Sequence, residues 1–328
     1  MEYILLKRNL HEYLKVLGSK YDVIAPVRQG ESVIFKHMGG KDTVCLEYDT
    51  TNSSVKKHFL VPGQILLEFT GQDAVKPDSP GKTIIFGLHQ YDACAIDILD
   101  EAFSSPIEDE YYLERRENAV IVAVESGDVP NSFVNELDLD RGKGYDIMLH
   151  DLGDKYLVTC VSKKGEDLLD PEYVRRVTGK DEFEKKEDPA PGKLLDIESI
   201  MKFLDKGPNQ KLWHELAEKC FACGACAYAC PVCHCFDVQD RLDLKGESGT
   251  RCRDWDSCML ADFAGVAGGG NFRPGRNERI HNWYHHKFSR AVKERGKPDC
   301  VGCGRCTTVC PAKIDIHEVL VRCEEGGN

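Results

Sequence analysis

One cysteine spacing occurs twice in the last third of this chain. Cys220, Cys223, Cys226 and Cys230 are followed by Pro231, and Cys300, Cys303, Cys306 and Cys310 by Pro311. In the run CxxCxxCxxxCP, three thiolates on a tight loop reach three corner irons of a cubane, while the fourth points away and ligates the other cluster. Two such runs imply two [4Fe-4S] clusters with exchanged fourth ligands. One set is Cys220, Cys223, Cys226 and Cys310; the other is Cys300, Cys303, Cys306 and Cys230. The 69 residues between the runs must therefore let them meet.

Structural zinc is the plain alternative, because CxxC pairs also suit a tetrahedral ion. Zinc takes two ligands per knuckle and gains nothing from a third cysteine at the same interval, whereas both runs carry the triplet, the fourth cysteine and the proline. Disulfides fit less well, since thiol-rich secreted scaffolds are usually short and this chain has 328 residues. The cysteine usage points to a reducing compartment.

Twelve of the sixteen cysteines lie between Cys220 and Cys310, leaving only Cys45, Cys94, Cys160 and Cys323 outside, so the chain divides into two halves with different roles. No apolar run approaches the length of a membrane span, and the opening MEYILLKRNLHEYLKVL lacks the features of a signal peptide. The expectation is a cytoplasmic protein. A net charge of -12 disfavours nucleic acid and anionic membrane as partners, both being polyanions.

In the first half, TIIFG (83–87) and AVIVAV (119–124) are short β-branched runs of the kind found in buried strands, and ACAIDILDEAF (93–103) has helical character. YDIMLHDL (145–152) and KYLVTCVS (155–162) flank Gly153-Asp154, a hairpin turn signal. These patterns predict an α/β domain with a mixed sheet over 1–162. No glycine fingerprint for a nucleotide is present there. Residues 163–210 are charge-dense and carry Pro189 and Pro191, which predicts a helical, charged linker. Residues 211–328, with helical patterns before the first run, after the second and over 282–296, predict an α-helical dicluster ferredoxin domain with a long insertion. The fold class is thus α+β.

The order CFACGACAYACPVCHCFDVQD, RCRDWDSC, AGGGNFRPG, HHKF and CVGCGRCTTVCPAKIDI resembles the iron-sulfur β subunit of soluble NiFe sulfhydrogenases and its counterpart among the subunits of anaerobic sulfite reductases. YDVIAPV (21–27), TNSSVKKHFLVP (51–62), FGLHQYDACAIDILD (86–100), YYLERREN (111–118) and GYDIMLHDLGDKYLV (144–158) carry the likeness through the first half. The resemblance implies an electron-transfer subunit working beside a flavin- and NAD(P)-binding subunit, with FAD and NAD(P) on that partner, and a catalytic redox subunit. The first half departs from the family's pattern at His89-Gln90-Tyr91, where relatives often carry Arg-Pro-Cys, so no metal is assigned there and Cys94 reads as a buried thiol.

The insertion supplies four further thiols, Cys233, Cys235, Cys252 and Cys258. They are read either as packing residues or as ligands of a third cluster. In the latter case Cys233, Cys235 and Cys258 are the ligands, because RDWDSC recurs in the resemblance and Cys252 lies outside it. His234 is read as a hydrogen-bonding neighbour. Segment 273–297 holds eight Lys or Arg against two acidic residues, with His281, His285 and His286 added. Such a reversal of charge can raise a cluster's potential, dock an acidic ferredoxin, or be a solvated face.

Two functional classes follow. The first is an electron-transfer subunit of a cytoplasmic oxidoreductase. The second is a stand-alone iron-sulfur reductase of sulfur species or another small acceptor. Eight motif thiols for two cubes leave no open iron corner, which favours the first. No residue is assigned as catalytic acid, base or nucleophile.

Overall fold

A run such as Ala119–Val124 has no polar face, so it needs cover on both sides. The computed structural model describes residues 1–127, 129–178, 181, 183 and 193–327, and provides that cover. The strands, in chain order, are β1 (Glu2–Leu6), β2 (Asp22–Gln29), β3 (Ser32–His37), β4 (Gln64–Thr70), β5 (Asp73–Val75), β6 (Thr83–His89), β7 (Ala119–Val124), β8 (Ile147–Asp151), β9 (Lys155–Cys160), β10 (Val174–Arg176), β11 (Phe236–Leu242) and β12 (Ser248–Trp255). They form an eight-stranded sheet in the order β10-β1-β9-β8-β7-β6-β2-β3 and a four-stranded one in the order β11-β12-β4-β5.

The described residues group into two compact units, one from 1–51, 79–130 and 139–190, the other from 52–78, 131–138 and 191–328. The first unit holds the larger sheet. Its β2, β6, β7 and β8 run parallel, and the remaining pairings are antiparallel, so the sheet is mixed. Asp151 pairs with Tyr156 across the Gly153-Asp154 turn, the hairpin that the sequence signals. Helix α1 (Leu10–Gly18) lays Leu10, Tyr13, Leu14 and Leu17 on one face of the sheet, against Val23, Phe86, Val122 and Leu149. Ile85, Ile121 and Ala123 alternate with these and face the other way, where α2 (Gln90–Ser104) packs on β6 and β7. The short helices α3 (Glu110–Glu117) and α4 (Lys163–Glu166) complete this unit, α3 being capped by the Asp109 side chain.

The second unit is built from α5 (Ile197–Leu204), α6 (Lys211–Lys219), α7 (Ala225–Ala229), α8 (Arg276–His285), α9 (Ala291–Arg295), α10 (Arg305–Thr308) and α11 (Ile316–Glu324). A π-helical turn, His286–Arg290, joins α8 to α9. Helix α11 packs on α5, α6 on α8, and α7 on α10. The smaller sheet belongs here too.

Several boundaries differ from the sequence-based expectation. Val174–Arg176, expected in a linker, pair with β1 as the edge of the large sheet. Residues 52–78, expected in the first domain, group with the second unit and give it β4 and β5. The insertion between the motifs, expected to be helical, also forms the β11–β12 hairpin. That hairpin is hard to read because β11 is exposed at every position and no apolar alternation marks it. Cross-strand ion pairs, Arg251 with Asp240 and Arg241 with Asp254, mark it instead. Pro189 and Pro191 lie outside the described residues. Among the described residues, no helix is long and apolar enough to cross a membrane.

Candidate functional site

The two cysteine runs fold as matched loops. In each, a glycine with left-handed backbone, Gly224 (φ 78°) or Gly304 (φ 71°), is the N-cap of a short helix, α7 or α10. Two residues before each lies a second left-handed position, Ala222 (φ 53°) and Gly302 (φ 65°). These turns aim backbone N–H groups at sulfur. Ala222 N donates to Cys220 Sγ at 3.3 Å, Gly302 N to Cys300 Sγ at 3.4 Å, and Ile314 N to Cys310 Sγ at 3.4 Å. The glycine at 302 is required by space as well as by φ, since a Cβ there would lie 2.7 Å from Val134 N.

The packing of α7 on α10 brings thiols of the two runs together. A pocket is lined by Cys220, Cys223, Cys226 and Cys310, with Trp283 and Tyr284. Burial pushes the Cys226 thiol up to about 12, and the neighbouring Cys220, Cys230, Cys223 and Cys310 act in the same direction. Cys220 is likewise raised by burial, with Cys310 and Cys223 acting in the same direction. Cys306 lines this pocket too, and burial raises its thiol well above the ordinary value, with Cys303, Cys300, Cys230 and Cys226 acting in the same direction. Burial also holds Cys300 at about 12, against the favourable charge of Lys287. Cys310 thus lines a pocket with the first triplet and with Cys306 of its own run, while Cys230 interacts with Cys300 and Cys306 and also with Cys226.

Four features fit an iron-sulfur cluster: converging thiols, a largely apolar pocket, N–H donors to sulfur, and an indole N–H without a partner. The last is Trp283 Nε1, buried and unbonded in a residue that lines the first pocket. An unmet buried donor costs about 1–3 kcal/mol, and an inorganic sulfide would accept from it. Among the described residues, no three or more His, Cys, Asp or Glu side chains gather tightly enough to hold a single metal ion. The thiols are spread around pockets, as a cube with separate corners needs and a lone zinc does not.

Two buried lysines stand beside these thiols. Lys287, 4 % exposed and on the π-helical turn, donates from Nζ to Cys230 Sγ at 3.3 Å and to the Asp299 carbonyl at 2.9 Å. Lys56, 3 % exposed, donates to the carbonyls of Ala227 at 2.9 Å and Cys233 at 2.8 Å, and its Nζ lies 4.4 Å from the centre of the Trp255 ring. Burial lowers the Lys56 pKa against the pull of Cys233 and Cys230. Cys230 is driven well below the ordinary thiol value by the Cys233 hydrogen bond, with Lys287 and Lys56 assisting. The basic segment is therefore not only a solvated face, for Lys287 and Arg279 turn inward; Arg279 bonds the carbonyls of Met259, Arg273 and Pro274.

The insertion cysteines fall in two places. Cys233, Cys235 and Cys258 line a second pocket with His286, Lys287 and Asp299. Cys252 lies apart in β12, 3 % exposed, with its sulfur 3.4 Å from Thr250 Oγ1. His234 bonds the Val232 carbonyl through Nδ1 at 3.0 Å. Cys94 and Cys160 are buried in the first unit and Cys323 in the second; burial holds Cys94 and Cys323 at about 12. Cys45 is partly exposed. Sequence reasoning missed Lys56, Trp283 and Asp299, because nothing in their local spacing announces the thiols they meet.

Residues 219–314 match a family model described as a 4Fe-4S dicluster domain. Over 321 residues the chain is 35% identical to sulfhydrogenase 2 subunit beta of Pyrococcus furiosus, an alignment covering 95% of this chain and 94% of that protein. No solved structure gives a significant match.

Proposed function

The chain belongs to the family of the sulfhydrogenase subunit beta, and from that premise we propose that it is an electron-relay subunit of a multisubunit cytoplasmic oxidoreductase. In this reading it lies between a flavin- and NAD(P)-binding subunit, which carries FAD and NAD(P), and a catalytic redox subunit. Cys220, Cys223, Cys226 and Cys310 would hold one [4Fe-4S] cluster, and Cys300, Cys303, Cys306 and Cys230 the other. Bound clusters supply one-electron transfer, and the protein supplies position, dryness and potential.

The observation that supports this most is the sharing of thiols between distant runs. Cys310 lines the pocket of Cys220, Cys223 and Cys226, and Cys230 interacts with Cys300 and Cys306, which supports a reading in which each short helix bridges the two sites. Trp283 and the loop N–H groups offer donors to sulfur, and the apolar pocket walls exclude water. Lys287 sets a cation on one side of this arrangement.

Anaerobic isolation with iron analysis and EPR of the reduced chain tests the assignment. Substituting Cys310 by Ala should disturb the signal of the cluster held by the first run. Loss confined to the cluster of the second run would refute the crossed ligation. Co-purification with a flavin subunit is expected, and full turnover of a sulfur acceptor by the isolated chain would refute the relay role.

A further inference from the structure

We propose that Cys233, Cys235 and Cys258 hold a third iron-sulfur cluster, with the Asp299 carboxylate facing its fourth corner. The inference rests on the reading above, in which the eight motif cysteines serve two cubes and leave these three thiols unclaimed.

The three line one pocket although they come from two stretches of chain, Cys233 and Cys235 following the first run and Cys258 following β12. The thiols of Cys235 and Cys258 are close enough to influence one another, as are those of Cys233 and Cys230. Cysteines kept for packing sit in apolar surroundings. This pocket is polar on one side: it also holds Lys287, His286 and Asp299, and of the Asp299 carboxylate only Oδ2 is paired.

Asp299 supplies the independent observation. Its side chain is 3 % exposed, and Oδ2 is paired with Arg295 and lies 3.8 Å from His286 Nε2. Oδ1 is buried without a hydrogen-bond partner. A buried carboxylate oxygen left unmet calls for a ligand, water or ion, and here three thiols share its pocket. Three thiols and one carboxylate around a single pocket match the donor set of a cube with one non-cysteine corner. Binding requires the thiols to lose their protons to solvent. The Cys230–Cys233 contact would place this cluster next to the second motif cluster, extending the relay. An oxygen ligand is harder than a thiolate and holds a cluster iron less firmly, so the corner at Asp299 would be the first to lose its iron once the carboxylate is removed.

Iron and zinc analysis with EPR on the full chain, purified without oxygen, tests this. Wild type should carry about twelve irons, and the combined variant Cys233→Ala, Cys235→Ala, Cys258→Ala about eight, with both motif signals retained. Those retained signals show that the variant folds; should it not fold, Cys258→Ala alone gives the same readout. Asp299→Ala should keep the third cluster but shed one iron on brief mild oxidation, where wild type does not. About eight irons in wild type, an unchanged iron content in the combined variant, or zinc lost in place of iron would each overturn the third cluster. An Asp299→Ala variant as resistant as wild type would overturn the carboxylate assignment. Failure of the motif reading would look different, since Cys220→Ala and Cys300→Ala would then leave the iron content intact.

Discussion

At Lys287 two effects oppose one another. Burial disfavours its charge, but Cys230, Cys233, Cys300 and Asp299 outweigh that and hold its pKa well above the ordinary lysine value. The side chain therefore remains a cation in contact with a proposed cluster ligand. A hydrogen bond to a charged group contributes about 1.5–3 kcal/mol. Since a positive charge stabilises the reduced, more negative cluster, Lys287→Met should lower one midpoint potential by roughly 60–130 mV, taking 59 mV per tenfold for a one-electron couple. The iron content should stay unchanged and the potential of the cluster on Cys220, Cys223 and Cys226 should move less. EPR-monitored redox titration reads both, and equal shifts in the two would show that Lys287 does not bias one site. The sequence revealed the basic segment but not which of its cations turns inward. That depends on the π-helical turn His286–Arg290, whose extra residue shifts the helical register.

Elements differ in how openly the sequence declares them. β6 and β7 are legible because burial on both faces demands unbroken apolar residues, and the β8–β9 hairpin because its turn has its own chemistry. The loops that carry the motif cysteines are legible from spacing alone. The short 3-10 turn Val55–His58 is not, since its purpose lies 171 residues away, where Lys56 meets the Ala227 carbonyl. This turn fastens the stretch from α7 to Cys233, which carries motif and insertion cysteines alike. Replacing Lys56 by Met keeps most of the volume and leaves two buried carbonyls unmet, at about 1–3 kcal/mol each. Relief of the lysine's own desolvation offsets part of this, so a net loss of roughly 2–4 kcal/mol is expected. Thermal or denaturant unfolding should show it, and a variant as stable as wild type would mean that Lys56 is not a fastening.

Across the whole chain, the two units are held by different means. The first has a continuous apolar core of Leu, Ile, Val, Phe and Tyr, with Cys160 within it and Cys94 buried nearby in α2. The second buries Cys230, Cys258, Cys300 and Cys303 at the places where its short helices meet, and α7 and α10 span only Ala225–Ala229 and Arg305–Thr308. Helices of that length are not stable alone, so whatever binds their thiols must supply part of their folding energy. Stripping iron with a chelator under reducing conditions should therefore release the second unit selectively. Hydrogen exchange followed by mass spectrometry should show residues 220–230 and 300–310 losing protection by more than tenfold, while β6 and β7 keep theirs. Adding back iron and sulfide should restore the lost protection. Equal loss in both units would mean that they unfold as one, and no loss in either would mean that the helices stand on packing alone.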